Sequence, residues 1–432
     1  MKVSFITLGC RVNHYESEAL REKLKEAGVA GVSRGERADV CVINTCAVTE
    51  ESVRKSRQAV RRAVKLSPGG MICVMGCASQ LYPDDFSDIP GVSFVCGTRN
   101  RNETFEAIKS FAETGVPVCG TVVVPPSGVV EPMRISAFDR TRAYVKIEDG
   151  CNGKCSYCVI KDVRGPVAVR GRDEILSEVG ALARAGCREV VLTGIETAAY
   201  GKDLPELIKD VALTEGIERI RLGSMEPSFM TKSFIDEVAG VGKFCPHFHV
   251  SVQSGSDRIL SLMRRKYNSR VMRENLGYAL NKIPGLCLTA DLIVGFPTET
   301  EEDFGMTADL VRDLGLLHCH IFRYSKRPGT EAALMGGQVP AAVSVERAAR
   351  LHEIAREEKL RALGRILSAG SAKVLCERRA DGFITGHTEN FAECRFEPSG
   401  RFFRGRVAEV KLTGIDAENG MLTGAEKTEE TE

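Results

Sequence analysis

The stretch "DGCNGKCSYCVIKDVRG" (residues 149–165) crowds Cys151, Cys155 and Cys158 into one short loop. Structural zinc takes four ligands, usually as two spaced pairs, and no fourth Cys or His follows here at ligand spacing. A cubane iron–sulfur cluster has four irons, each taking one thiolate. Three thiolates leave one iron open, so the missing fourth ligand is itself a functional feature.

The loop's surroundings decide the fold. Strand-like runs "AYVKIE", "EVVLTGIE", "RIRLGSMEP", "HFHVSVQSG", "LCLTADLIVGFP" and "HCHIFRYS" alternate with helical stretches such as "DEILSEVGALARAG". Eight such units close a full barrel. Six predict an open, partial (β/α)6 barrel over residues 141–367, with a lateral mouth for a large substrate. Its last element is a long amphipathic helix over 342–367. The cysteine loop follows the first strand. S-adenosylmethionine suits the open iron there, because its amino and carboxylate groups can chelate it. An electron from the cluster then cleaves the sulfonium to a radical, while the protein supplies placement and excludes solvent.

Residues 1–120 read as a doubly wound α/β domain with a parallel sheet, from apolar runs such as "ADVCVINTC" and "GGMICVMGC" separated by helical periods. Cys10, Cys46 and Cys77 each fall one or two residues beyond a strand. The C-terminal ends of parallel strands share one edge, so these distant thiols can converge there. Cys41 and Cys73, inside strands, read as core. Cys96 ends a strand and reads as structural. Residues 121–140 form a linker, with one hairpin expected within 116–140. Residues 368–425 carry short strands and turns that predict a small closed β-barrel, and 426–432 a disordered tail. Phe402, Phe403, Arg404 and Arg406 of that barrel are candidates for stacking on and pairing with nucleic acid.

Across 432 residues the net charge is +1, so no global field recruits nucleic acid and any such contact is local. The chain shows no secretory signal and no long apolar run. A cytoplasmic protein without a membrane anchor is expected, in which sixteen cysteines serve as ligands and core rather than disulfides.

The motifs "LGCRVNHYESE", "VINTCAVTEESVRKSRQAVRR", "VMGCASQ", "GCNGKCSYCVI", "RLGSMEP", "PHFHVSVQSGSDRILSLMRRKY", "DLIVGFPTETEEDF" and "FRYSKRPGT" together resemble the radical SAM methylthiotransferase family along nearly the whole chain. The resemblance implies two [4Fe-4S] clusters, an auxiliary one on Cys10, Cys46 and Cys77 and a radical-generating one on Cys151, Cys155 and Cys158, with a C-terminal TRAM barrel. "GCRVNHYESE" and "DGCNGKCSYC" look most like the branch that adds methylthio to C2 of N6-threonylcarbamoyladenosine in the tRNA anticodon loop. The branches acting on isopentenyladenosine tRNA or on a ribosomal-protein aspartate are the alternatives. A reducing electron donor and the iron–sulfur assembly machinery are the other partners implied. Lys161 and Asp162 depart from the family pattern, which more often has a Pro and an aromatic there.

Several residues are candidates for S-adenosylmethionine contacts. They are Tyr157 within the cysteine loop, Ser224, Glu226 and Gln253 at strand ends, and Gly295, whose missing side chain would let backbone approach a ring. His247 and His249 share one strand face and read as a buried, hydrogen-bonded pair. The run "RRK" at 264–266 reads as a solvated face.

Overall fold

The computed structural model describes residues 1–31, 36–399 and 402–427. Its first unit is a wholly parallel sheet in the order Ala30–Gly31, Lys2–Thr7, Val40–Thr45, Met71–Gly76, Phe94–Cys96, Gly120–Val122. Val40–Thr45 and Met71–Gly76 are buried throughout, as central strands covered on both faces must be. Helix Glu50–Leu66 covers one face with Val53, Val60 and Ala63. Thr49 caps its start by accepting from the Ser52 amide at 3.1 Å, and Glu50 and Glu51 suit the positive end of its dipole. The strand order reverses between Lys2–Thr7 and Val40–Thr45, which places the crevice of this sheet just beyond their C-terminal ends.

Gly120–Val122 does not form the hairpin expected in 116–140. It joins the open edge of Phe94–Cys96 in parallel, so the first sheet runs on to Val122.

The second unit is an arc of parallel strands. Ala143–Lys146, Glu189–Thr193 and Arg219–Leu222 form one sheet. Ser224–Met225, His247–Gln253, Cys287–Val294 and His318–Arg323 form the next. Alternation sets their two faces. Phe248, Val250, Val252, Leu288, Ala290 and Leu292 pack in the core shared with the surrounding helices. The intervening His249, Thr289 and Asp291 face the lumen instead. Helix Ala341–Leu367 closes the unit.

The third unit is a closed barrel of Ser371–Ala380, Phe383–Thr388, Glu393–Glu397, Met421–Glu426 and Val407–Asp416. Glu426, expected in the tail, belongs to the last strand, and the Lys427 amide donates to Glu409 at 2.9 Å. The rest of the expected tail, 428–432, lies outside the described residues. This barrel docks on the arc through Arg219, which donates to the Lys373 carbonyl at 2.6 Å, and Arg221, which donates to that of Thr388 at 2.8 Å. Phe391 plugs the junction, stacked 4.6 Å from His247 with the Arg221 guanidinium 5.1 Å from its ring. Among the described residues no helix is long and apolar enough to cross a membrane.

Candidate cluster and cofactor site

Cys10, Cys46 and Cys77 follow three adjacent strands and meet at the sheet's crevice. Asn13, one turn into helix Arg11–Glu26, gathers them: its Oδ1 lies 3.8 Å from the Cys10 sulfur and 4.0 Å from that of Cys77. Gly9 has φ +98°, and a Cβ there would lie 3.1 Å from the Cys46 sulfur and 2.9 Å from Asn13 Nδ2. Only glycine leaves the three sulfurs this room. Cys46 and Cys77 are buried while Cys10 is exposed, so the group opens outward on one side. Burial pushes the Cys77 thiol up to about 12, against the pull of Arg164. Such thiols become thiolates when a metal takes the proton's place.

The second set lies on the loop after Ala143–Lys146. The Gly153 amide donates to the Cys151 sulfur at 3.2 Å and the Ile160 amide to that of Cys158 at 3.5 Å. Burial pushes Cys158 up to about 12 as well. Arg265 comes within 3.2 Å of the Cys155 sulfur and pairs with Glu226 at 3.0 Å. The "RRK" run is therefore not a uniformly solvated face, since Arg265 points inward while Arg264 pairs with Glu331 at 2.7 Å.

Beside Cys151 sit two buried carboxyls that the sequence reading passed over. Glu148 Oε1 and Glu196 Oε1 are both buried without a hydrogen-bond partner. Burial pushes Glu148 up to about 9; it pushes Glu196 up to about 7, with Glu226 adding to the rise. Unpartnered buried acceptors beside the cysteine loop fit a cationic ligand group, and the ammonium of S-adenosylmethionine is one. Glu196 stands three residues beyond the strand Glu189–Thr193, and Glu226 stands directly beyond Ser224–Met225. An acid shortly after a barrel strand was the signal available for it.

The other predicted contacts are placed as follows. Tyr157 packs edge-on to Phe296, ring centres 6.3 Å apart. Gln253 ends its strand with φ +66°, a strained backbone at the lumen's rim. Ser224 lies on the short strand paired with His249. Gly295 is required by packing: its φ is +73°, and a Cβ would lie 2.1 Å from the Ser344 hydroxyl. Its amide is already taken by Glu299 at 2.7 Å. His247 and His249 are buried and bond to Thr289 at 3.0 and 2.8 Å, but His249 also reaches Asp291 at 3.2 Å. Cys96 donates to the carbonyls of Arg99 and Asn100 and packs in the core with Cys73.

A buried charge knot ties the two cysteine sets together. Arg164, shortly after Cys158, donates to Asn13 Oδ1 at 2.7 Å and to Glu16 at 2.5 Å, and lies 3.3 Å from Asp149. Lys146 bridges Glu16 and Asp149 at 3.2 Å each, Arg101 pairs with Glu16 at 2.6 Å and Arg99 with Asp149 at 3.2 Å. Burial alone would raise the Glu16 carboxyl, but Arg101, Arg164 and Lys146 outweigh it and hold it down to about 2. Asn13 touches the first set and Asp149 precedes the second, so one rigid network orients both.

Two family profiles match the chain: the radical SAM superfamily over residues 145–311 and the uncharacterized protein family UPF0004 over residues 2–97. The threonylcarbamoyladenosine tRNA methylthiotransferase MtaB of Bacillus subtilis is 38% identical over 95% of this chain and 93% of its own length. That of Thermotoga maritima is 35% identical over 95% of each chain. The tRNA-2-methylthio-N(6)-dimethylallyladenosine synthase of Corynebacterium urealyticum is 35% identical over 94% of this chain and 79% of its own. Among solved structures, the radical S-adenosylmethionine methyltransferase TsrM of Kitasatospora setae superposes with a TM-score of 0.57 at 15% identity, covering 77% of this chain and 74% of that one. At that identity the likeness concerns the fold alone.

Proposed function

This chain belongs to the radical SAM methylthiotransferase family, and we propose that it adds a methylthio group to C2 of N6-threonylcarbamoyladenosine beside the tRNA anticodon. The observation that carries this reading is the joining of two three-cysteine sets by Asn13, Glu16, Asp149 and Arg164. Cys10, Cys46 and Cys77 would hold the auxiliary [4Fe-4S] cluster, and Cys151, Cys155 and Cys158 the radical-generating one. When bound, the clusters and S-adenosylmethionine supply removal of the C2 hydrogen and the methylated sulfur that replaces it.

The chain's own residues bind and orient. Glu196 and Glu148 offer free buried oxygens to the ammonium of S-adenosylmethionine. Arg265 sets a fixed positive charge against the Cys155 sulfur while Glu226 holds it in place. The Gly153 and Ile160 amides donate to the neighbouring sulfurs. On the C-terminal barrel a groove of about 650 Å³ is lined by Arg378, Arg379, Arg404, His387 and Phe402 together with Glu377 and Glu393, three guanidiniums against two carboxylates. Such a groove suits RNA phosphates, which position the loop without reading its bases. Arg404 is also bonded to Asp139 and Thr141, and Arg406 pairs with Glu426; of the two expected stacking rings Phe403 is the more open. An electron donor of low potential and the iron–sulfur assembly machinery are the further partners of this reading, and the cytoplasm, where tRNA and reducing conditions coexist, its location.

The test is nucleoside mass spectrometry on tRNA from a strain lacking methylthio modification, after anaerobic reaction with reconstituted enzyme, S-adenosylmethionine and a reductant. Threonylcarbamoyladenosine is expected to gain methylthio. A gain on dimethylallyladenosine instead contradicts the branch. Cofactor cleavage with no altered nucleoside points to a protein substrate.

A further inference from the structure

Arg11 is a half-buried guanidinium without a counter-ion. It follows Cys10 directly and opens helix Arg11–Glu26. Its Nη1 donates to the Leu222 carbonyl at 3.4 Å, a long bond at the C-terminal end of a barrel strand. Among the described residues it forms no ion pair. The charged and polar groups around it include Tyr144, Arg142, Arg221, Asp291 and His247, on or beside the strands of the arc.

Asp291 is the one anion among them, and Arg142 and Arg221 repel Arg11. Arg142 and Arg221 are held by Glu189 at 2.6 and 2.9 Å. Asp291 is clasped by His249 and His320, each at 3.2 Å, and these three side chains bring their ligand atoms within 4.8 Å of one another. A guanidinium does not deprotonate to escape burial, so its cost stands until an anion arrives. The lumen beside Cys10 is thus polar and carries an excess cation.

Threonylcarbamoyl carries a carboxylate, whereas dimethylallyl is wholly apolar. C2 and N6 flank N1 on one edge of adenine. A receptor for the N6 substituent placed next to Cys10 therefore turns the C2 edge toward the cysteine sets. We propose that Arg11 binds the carboxylate of the substrate's threonylcarbamoyl group in the barrel lumen and so selects it over an apolar N6 substituent. This rests on the threonylcarbamoyladenosine reading above and adds to it the residue that reads the group.

The experiment compares two anticodon stem–loops, one with the natural threonyl carboxylate and one with a carboxamide in its place, on reconstituted wild type, Arg11→Lys and Arg11→Met. Turnover and equilibrium binding by fluorescence anisotropy are both read, so that a variant whose neighbouring cluster is impaired still reports. Wild type is expected to favour the carboxylate by about tenfold or more, the range of a charge-assisted hydrogen bond. Arg11→Met should lose that preference through KM and affinity for the carboxylate stem–loop, with the carboxamide nearly unmoved, and Arg11→Lys should restore part of it. Equal weakening of both stem–loops by Arg11→Met, or a wild type that does not distinguish them, overturns the proposal. A wild type that modifies a dimethylallyl stem–loop and ignores the threonylcarbamoyl one overturns the substrate reading as well.

Discussion

Glu16→Gln is the substitution that best probes the knot between the first two units. It keeps the side chain's size and an acceptor oxygen and removes only the charge. In the native network the cations Arg99, Arg101, Lys146 and Arg164 face the carboxylates Glu16, Glu131 and Asp149. Glu16 has the shortest contacts, 2.5 Å to Arg164 and 2.6 Å to Arg101. Its neutralisation leaves four buried cations facing two carboxylates. Breaking a buried pair in this way costs about 3–5 kcal/mol. Arg164→Met should cost less, because three cations then face three carboxylates. The chain has several units, so a single melting temperature is ill-defined, and hydrogen exchange read by segment is the better assay. Amides of Arg11–Glu26 and Ala143–Lys146 should exchange roughly 150- to 5,000-fold faster at one decade per 1.36 kcal/mol, while the C-terminal barrel stays unchanged. The effect is also pH-dependent. A carboxyl depressed in the folded state stabilises above its unfolded pKa, and that contribution fades as pH falls from about 4.5 to about 2. Glu16→Gln should flatten the wild-type slope in this window. Acceleration below about tenfold, or spread evenly over all three units, would refute the idea that the knot joins them.

Glu148, raised in the fold from 4.5 to about 9, works in the opposite sense: stability falls as pH rises through that interval, and Glu148→Gln should slow amide exchange in Ala143–Lys146 at alkaline pH relative to wild type, once the intrinsic pH dependence is removed. Glu196→Gln should weaken S-adenosylmethionine binding by about tenfold or more, read by calorimetry on the reconstituted protein, because a buried charge-assisted bond is lost. Arg265→Met should move the reduction potential of the cluster at Cys151, Cys155 and Cys158 to more negative values, since a fixed cation 3.2 Å from the Cys155 sulfur favours the reduced state. An exposed pair such as Arg54 with Glu51 should report nothing measurable on Arg54→Ala.

What was legible in the sequence was local or periodic. The spacing of Cys151, Cys155 and Cys158 and the placing of Cys10, Cys46 and Cys77 after apolar runs needed only strand periodicity and the rule that parallel strands share an edge. Alternation likewise put His247 and His249 on one strand face. What stayed hidden depends on partners far along the chain. Arg265 meets Cys155 across 110 positions and Glu16 meets Arg164 across 148. Two adjacent arginines in "RRK" look alike as text, and only the turn at Arg264, φ +58°, sends them to opposite sides. Gly120–Val122, at the start of a Val-rich run, carries no mark saying whether it folds on itself or completes a neighbouring edge. Gly295 matched a cofactor-contacting pattern, yet its need for glycine comes from Ser344 on a helix that packs against it.

The most direct test of the two-site arrangement is iron content and S-adenosylmethionine cleavage measured together on wild type, Cys10→Ala and Cys151→Ala after anaerobic reconstitution. Wild type should hold about eight irons, two [4Fe-4S] clusters. Cys10→Ala should drop to about four, keep cleaving the cofactor and transfer no methylthio. Cys151→Ala should also drop to about four and cease cleaving it. Full iron in either variant, or cleavage that survives Cys151→Ala, would contradict the assignment of one cluster to each set of three cysteines.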